Sequence, residues 1–222
     1  MRANRSPSPG FGPRPLLAHD AVVFDFDGTL IDSREIKTGN YVRAFAQVFS
    51  STAEERPRVV ASCVRTSGAN RFVQLHDTLE ALGRSAELAQ EEEWSARYSR
   101  LNAESVGRMP EFPSVRRLLA DLRGFGYRLY AASGILQEEL ERDLRRRGLA
   151  TFFREIRGGD KPGFLRELLG RGFAGVLFVG DTPYDRTAAE EAGVPFFMVE
   201  SDRDLQALGA ALMRSGAPPQ SR

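Results

Sequence analysis

What this chain has little of narrows it first. Cys63 is the only cysteine in 222 residues, so an internal disulfide is impossible and a zinc centre built from several cysteines is excluded, which suits a reducing cytosol. No apolar run approaches the roughly 20 residues needed to span a bilayer, and the first residues lack the apolar core of a secretory signal. A cytoplasmic protein with no membrane partner is expected. Neither sign of charge dominates: 31 Lys plus Arg stand against 30 Asp plus Glu, a formal net charge of +1. Nothing drives the whole molecule toward nucleic acid, so any anion site has to be local. Residues 1–20, rich in Pro, Arg, Ser and Gly, carry too little apolar surface to pack, and they are expected to form a disordered extension, with residues 215–222 a frayed tail.

What the chain does have is organised around residues 21–33, AVVFDFDGTLIDS. Val22, Val23 and Phe24 form a continuous apolar run that suits a strand buried on both faces. Asp25 and Asp27 follow, one aromatic apart, with Gly28 and Thr29 next. Two carboxylates therefore emerge where a parallel strand ends, and open parallel sheets bind ligands at that edge. Close carboxylates repel unless a cation or a shared proton holds them, and a divalent metal is the obvious candidate; Asp25 could then be a nucleophile and Asp27 an acid/base. A capped turn after a core strand would use the same residue types.

From Ser33 to about Gly107 the apolar period becomes helical. Tyr41, Val42, Phe45, Val48 and Phe49 share one face; Phe72, Leu75, Leu79 and Leu82 share another, closed by Gly83. Ser85 is expected to cap a further helix carrying Leu88, Trp94, Tyr98 and Leu101. Within this module residues 65–71 are the least helical and most polar stretch, and Arg65, Asn70 and Arg71 offer donors for a carboxylate, hydroxyl or second phosphate on a substrate. Lys37, Arg43 and His76 have weaker claims.

Beyond it, alternation of helix and strand resumes. A strand over 127–132 ends on Ser133 and Gly134, whose hydroxyl and backbone N–H groups can approach a phosphate closely. Lys161 is expected just before a helix begun by Pro162, where its ammonium and the free N–H groups could face one anion. Residues 175–185 repeat the opening logic, a buried strand ending in Asp181 and Asp185. A fifth strand is expected over 195–199, and Leu205, Leu208 and Leu212 mark a final helix.

In this order, the DFDGTLIDS segment, the Ser133 strand end, Lys161 and the Gly-Asp-x-x-x-Asp at 180–185 resemble the four motifs of the haloacid dehalogenase-like hydrolase superfamily. The helical module is similar to the cap of its phosphoglycolate phosphatase-like and beta-phosphoglucomutase-like members. The resemblance, over roughly residues 20–200, implies an α/β fold, a doubly wound parallel sheet of Rossmann-like type built from residues 21–33 and 108–214, with an α-helical cap inserted at 34–107. It implies Mg2+ held by the Asp25 carboxylate, the Asp27 backbone carbonyl and the Asp181 carboxylate, with Asp185 orienting Lys161 or a water at the metal. Phosphate binding falls to Ser133, Gly134 and Lys161. The implied activity is hydrolysis of a small phosphorylated metabolite through an aspartyl-phosphate on Asp25, with Asp27 as acid/base. A phosphosugar mutase would keep the same residues, and a non-catalytic binding module is the alternative from another class.

Overall fold

The computed structural model describes residues 19–105 and 109–214; the expectations for residues 1–18 and 215–222 lie outside the described residues. Five parallel strands, β1 (Ala21–Phe24), β2 (Arg128–Ser133), β3 (Glu155–Gly158), β4 (Val176–Gly180) and β5 (Phe196–Met198), form one sheet in the order β3-β2-β1-β4-β5. The continuous apolar run of β1 follows from its central place, since both of its faces are covered. Val22 and Phe24 face a core shared with α5 (Val115–Gly124), α6 (Gln137–Arg146) and α9 (Asp202–Arg214). Ala21 and Val23 face the opposite core with α7 (Lys161–Gly170) and α8 (Pro183–Ala192). The expected doubly wound parallel sheet is what the chain forms.

The chain runs outward from β1 through β2 to β3, then returns to the other side of β1 as β4. That reversal opens a crevice between the carboxyl ends of β1 and β4, the point where such sheets bind ligands. Phe24 pairs in register with Val179, so Asp25 and Asp181 leave the sheet side by side.

Between β1 and α5 lie four helices, α1 (Arg34–Phe49), α2 (Arg56–Arg65), α3 (Arg71–Ala81) and α4 (Leu88–Ser105). They enclose their own apolar core, with Tyr41, Phe45, Leu75 and Trp94 wholly buried. Tyr41 meets Trp94 and Tyr98 edge-on, at 5.2 and 5.8 Å between ring centroids, the arrangement that ring quadrupoles favour. Among the described residues no helix is long and apolar enough to cross a membrane.

Three local expectations need correction. Ser85 does not cap α4: the helix starts at Leu88, too far along for that hydroxyl to reach its first turn, and the Gln90 side chain instead accepts from Glu87 N at 3.1 Å. Lys161 is the first residue of α7 and not the residue before it; Asp160 is the cap and accepts from Gly163 N at 2.9 Å. His19 and Asp20 are buried, and Asp20 bonds through its main chain to Gly175 and Arg128, so the packed chain begins before Ala21. Backbone pairing with β2 and the β4 approach decides that boundary, and composition does not report it.

Candidate active site

Asp25 leaves β1 with its N–H bonded to Val179 O at 2.8 Å and is 3% exposed. Lys161 reaches it from the first turn of α7, with Nζ 2.8 Å from Asp25 Oδ1 and 2.5 Å from Asp185 Oδ1. The other Asp185 oxygen accepts from Thr182 N at 3.1 Å and Thr182 Oγ1 at 2.6 Å, while Thr182 Oγ1 accepts from Asp185 N. This capping box starts α8 and, with Pro183 behind it, fixes Asp185 rigidly. Asp185 therefore positions Lys161. Burial works against the Lys161 ammonium, but Asp185 and Asp25 outweigh it and hold the lysine above its ordinary range. Burial pushes the Asp25 carboxyl well up; Lys161 opposes that, and Asp185 and Asp181 reinforce it.

Asp181 follows β4 and is pushed up to about 6 by burial and then by Asp185, with Arg34 and Lys161 pulling the other way. Thr29 Oγ1 donates to Oδ1 at 3.4 Å. Arg34 Nε lies 2.7 Å from Oδ2 as an ion pair, yet among the described residues no hydrogen-bond donor is aligned on that buried oxygen. Space beside it exists because residue 28 is glycine: at φ +79° a side chain there would strike Oδ2 and Arg34.

Oxygens of Asp25, Asp181 and Asp185 lie within 4.8 Å of one another. Asp185 has spent both of its oxygens on Lys161 and Thr182, which leaves Asp25 and Asp181 as available ligands. Two buried carboxylates with raised proton affinities, one with an oxygen met only by the Arg34 ion pair, fit a divalent cation, and the all-oxygen donor set suits a hard one.

Asp27 turns toward the helical insertion. Its Oδ1 accepts from Ser33 Oγ at 2.8 Å, and its Oδ2 meets Lys37 Nζ at 2.5 Å. Burial works against the Lys37 ammonium too, but Asp27 outweighs it and raises the lysine. Ser133 and Gly134 end β2 on the opposite wall, under the loop that joins α2 to α3. A Cβ on Gly134 would come within 2.7 Å of both Gly68 O and Ala69 O, so only glycine lets the two backbones meet. Between these walls lies a cavity of about 60 Å³, lined from the sheet by Asp25, Ser133 and Lys161 and from the insertion by Lys37, Arg71 and Tyr98.

The loop residues expected to read a substrate divide. Arg71 is buried and lines the cavity, but its terminal nitrogens are committed to Ser95, Ser99 and, across to α6, Glu139. Arg65 is corrected: it pairs with Asp77 and keeps 57% of its side chain exposed, away from the cavity. Asn70 is corrected as well, since its side chain caps α3 by accepting from Phe72 N at 2.9 Å. His76 pairs with Glu91 on the exposed side, and Arg43 lines a separate groove on α1. Arg34 was missed, because one arginine at a helix start carries no motif. Lys37 was underrated, although its place ten residues after Asp27 on a helix following a short turn could have drawn attention.

A family model described as haloacid dehalogenase-like hydrolase matches residues 19–193. The chain belongs to the haloacid dehalogenase-like hydrolases. The hydrolase is 29% identical over 188 residues to a phosphoglycolate phosphatase of Synechococcus elongatus, covering 78% of this chain and 80% of that protein. It is 30% identical over 166 residues to tyrosine-protein kinase PtkA of Mycobacterium tuberculosis, covering 72% of this chain, and spans about half of PtkA's length, 49%. Among solved structures it resembles a hydrolase from Pseudomonas syringae at TM-score 0.70 and 20% identity, over 89% of this chain and 91% of that one, a likeness of fold.

Proposed function

We propose that this hydrolase is a magnesium-dependent phosphatase that cleaves a small phosphomonoester through an aspartyl-phosphate on Asp25. The observation that carries the reading is the pair of buried carboxylates at the switch point, Asp25 and Asp181, beside the buried Lys161 ammonium and with Asp181 Oδ2 met only by the Arg34 ion pair. The likeness to a phosphoglycolate phosphatase over most of both chains supports the same chemistry.

A magnesium ion held by Asp25, Asp181 and the Asp27 backbone carbonyl would neutralise charge between the carboxylates and the phosphate. The chain's own groups account for the rest. Lys161 holds the Asp25 carboxylate in place and, with the Ser133 hydroxyl and the N–H of Gly134, stabilises the transferring oxygens. Asp25 forms the new bond to phosphorus as the ester oxygen leaves. Asp27 gives that oxygen a proton, then takes one from the water that opens the aspartyl-phosphate. The insertion acts as a cap that keeps bulk water from the intermediate.

The test is hydrolysis of p-nitrophenyl phosphate and a panel of alkyl phosphates by chelated protein, with and without added magnesium, alongside Asp25→Asn. Activity is expected only with the cation and only in the parent chain, with a trapped phospho-adduct on Asp25 by mass spectrometry. Full turnover in chelator, or an adduct on another residue, would refute the assignment. Glucose 1-phosphate included in the panel separates release of phosphate to water from its return to a sugar.

A further inference from the structure

Lys37 and Lys161 are the chain's only lysines among 31 basic residues, and each pairs with one aspartate of the Asp25-Phe26-Asp27 run, Lys161 buried and Lys37 with 16% of its side chain exposed. Lys161 starts α7, beside the sheet, and also rests on Asp185. Lys37 comes from the insertion, and Asp27 is the only carboxylate in contact with it among the described residues. Ser33 and Lys37 stand one helical turn apart, with Lys37 N bonded to Ser33 O at 2.9 Å. A single turn of α1 thus grips both Asp27 oxygens.

That grip turns the Asp27 carboxylate toward the insertion. Asp27 lines the cavity beside Lys37; to serve a leaving oxygen there its carboxyl has to exchange Lys37 for that oxygen, and the ammonium is then left in the cavity wall without a contacting counter-charge. Its other neighbours cannot replace one: Tyr98 and Arg71 line the same wall, and Asp143 of α6 acts on it only from beyond contact distance. Stranding a largely buried ion after its partner is removed is costly, the more so the less water reaches it.

We infer that Lys37 is the specificity residue of this site: its ammonium passes from Asp27 to an anionic group on the leaving moiety, so the substrates are phosphomonoesters whose alcohol carries a carboxylate or a second phosphate. The inference rests on the phosphatase reading above. Arg71, whose terminal nitrogens are already bonded, is not the group that reads this charge. An ester without the anion leaves Lys37 stranded whenever Asp27 moves, and it reacts slowly for that reason.

Three esters differing at one position test this: ethyl phosphate, 2-phosphoglycolate, in which a carboxylate replaces the methyl group, and ethylene glycol bisphosphate, in which a second phosphate extends it. The readout is the ratio of kcat/KM for each anionic ester to that for ethyl phosphate, which cancels any loss common to all three. The parent protein is expected to favour at least one anionic ester by roughly a hundredfold or more, the scale set by an unpaired buried charge; which one it favours distinguishes carboxylate from phosphate. In Lys37→Met that ratio should fall to within about tenfold, and in Lys37→Arg, which keeps the charge, most of it should return. Lys37→Gln provides the same reading should the methionine variant not fold. An unchanged ratio in the neutral variants, or a parent protein without preference for either anion, overturns the proposal. If no ester at all is turned over, p-nitrophenyl phosphate included, the phosphatase reading itself has failed, whereas hydrolysis with a ratio indifferent to residue 37 leaves that reading intact and removes only this one.

Discussion

Asp181 ties the site to acidity in a direction opposite to most surface carboxylates. Its folded value of about 6 stands above the ordinary 3.8, so the folded state binds the proton more tightly than the unfolded chain does. The stability this contributes is present below about pH 4 and is lost as pH rises through about 6. In chelator, the Tm of the parent protein should therefore fall relative to Asp181→Asn as pH goes from 4 to 7, and magnesium should restore the parent but not the variant. Parallel Tm profiles for the two proteins in chelator would show that burial at Asp181 is already compensated. Lys161 carries a different prediction. Lys161→Ala leaves Asp25 and Asp185 without their shared cation, so turnover should drop on the order of a hundredfold or more and stability by about 3–5 kcal/mol. Ser133→Ala, which removes no charge, should cost less on both counts; equal small losses in enzyme assays and denaturant melts would mean that Lys161 does not serve the phosphate. These residues were legible in the sequence because each sits at a strand end or, for Lys161, at the helix start that follows one, and is announced by a short motif. Arg34 was not, since its contact with Asp181 spans 147 positions and follows from the sheet order that brings β4 beside β1.

At the scale of elements, the start of α3 is where insertion and sheet domain are joined. The Arg71 guanidinium bonds Ser95 and Ser99 within the insertion and Glu139 on α6, and Ser99 also donates to Glu139. Such a buried, hydrogen-bonded ion pair is costly to break from one side. Arg71→Ala should lower kcat/KM by about tenfold or more, and by the same factor for charged and neutral esters, because it loosens the seat of the cap. Arg65→Ala, which loses only an exposed pair with Asp77, should change it less than about twofold. Unequal losses across the esters in the Arg71 variant would return that residue to substrate reading. Helices α1, α3 and α4 were readable from apolar spacing and the α2–α3 loop from its polarity, whereas α2, which buries only Val59, Ser62 and Cys63, was not. What the loop's residues do was not, because the Asn70 side-chain oxygen caps α3 by accepting from Phe72 N, whereas the Arg71 partner Glu139 is 68 positions away.

Across the whole molecule, a cation and an anion should bind cooperatively at the crevice between β1 and β4. Magnesium with inorganic phosphate should raise the Tm more than the sum of either alone, since each ligand relieves the charge that opposes the other; strictly additive shifts in a thermal melt would place the two at unconnected sites. A doubly wound parallel sheet needed no structure to anticipate, as strands alternating with helices leave few arrangements; the strand order that sets β4 beside β1 came from the structure. The size of the space above it is another matter. A cavity of about 60 Å³ lies well below the roughly 300 Å³ at which small-molecule pockets begin, and it is bounded by backbone at Gly68, Ala69 and Gly134 that cannot shrink further. For the phosphatase proposed here, entry of an organic ester and departure of its alcohol would call for the insertion to move on the sheet. Each turnover would then include two displacements of the insertion, and where chemistry is fast these would set the pace. Such an enzyme feels friction: its kcat on the best ester should decline in proportion to the viscosity of added sucrose, while a sluggish ester, limited by bond breaking, is hydrolysed at the same rate in syrup as in water.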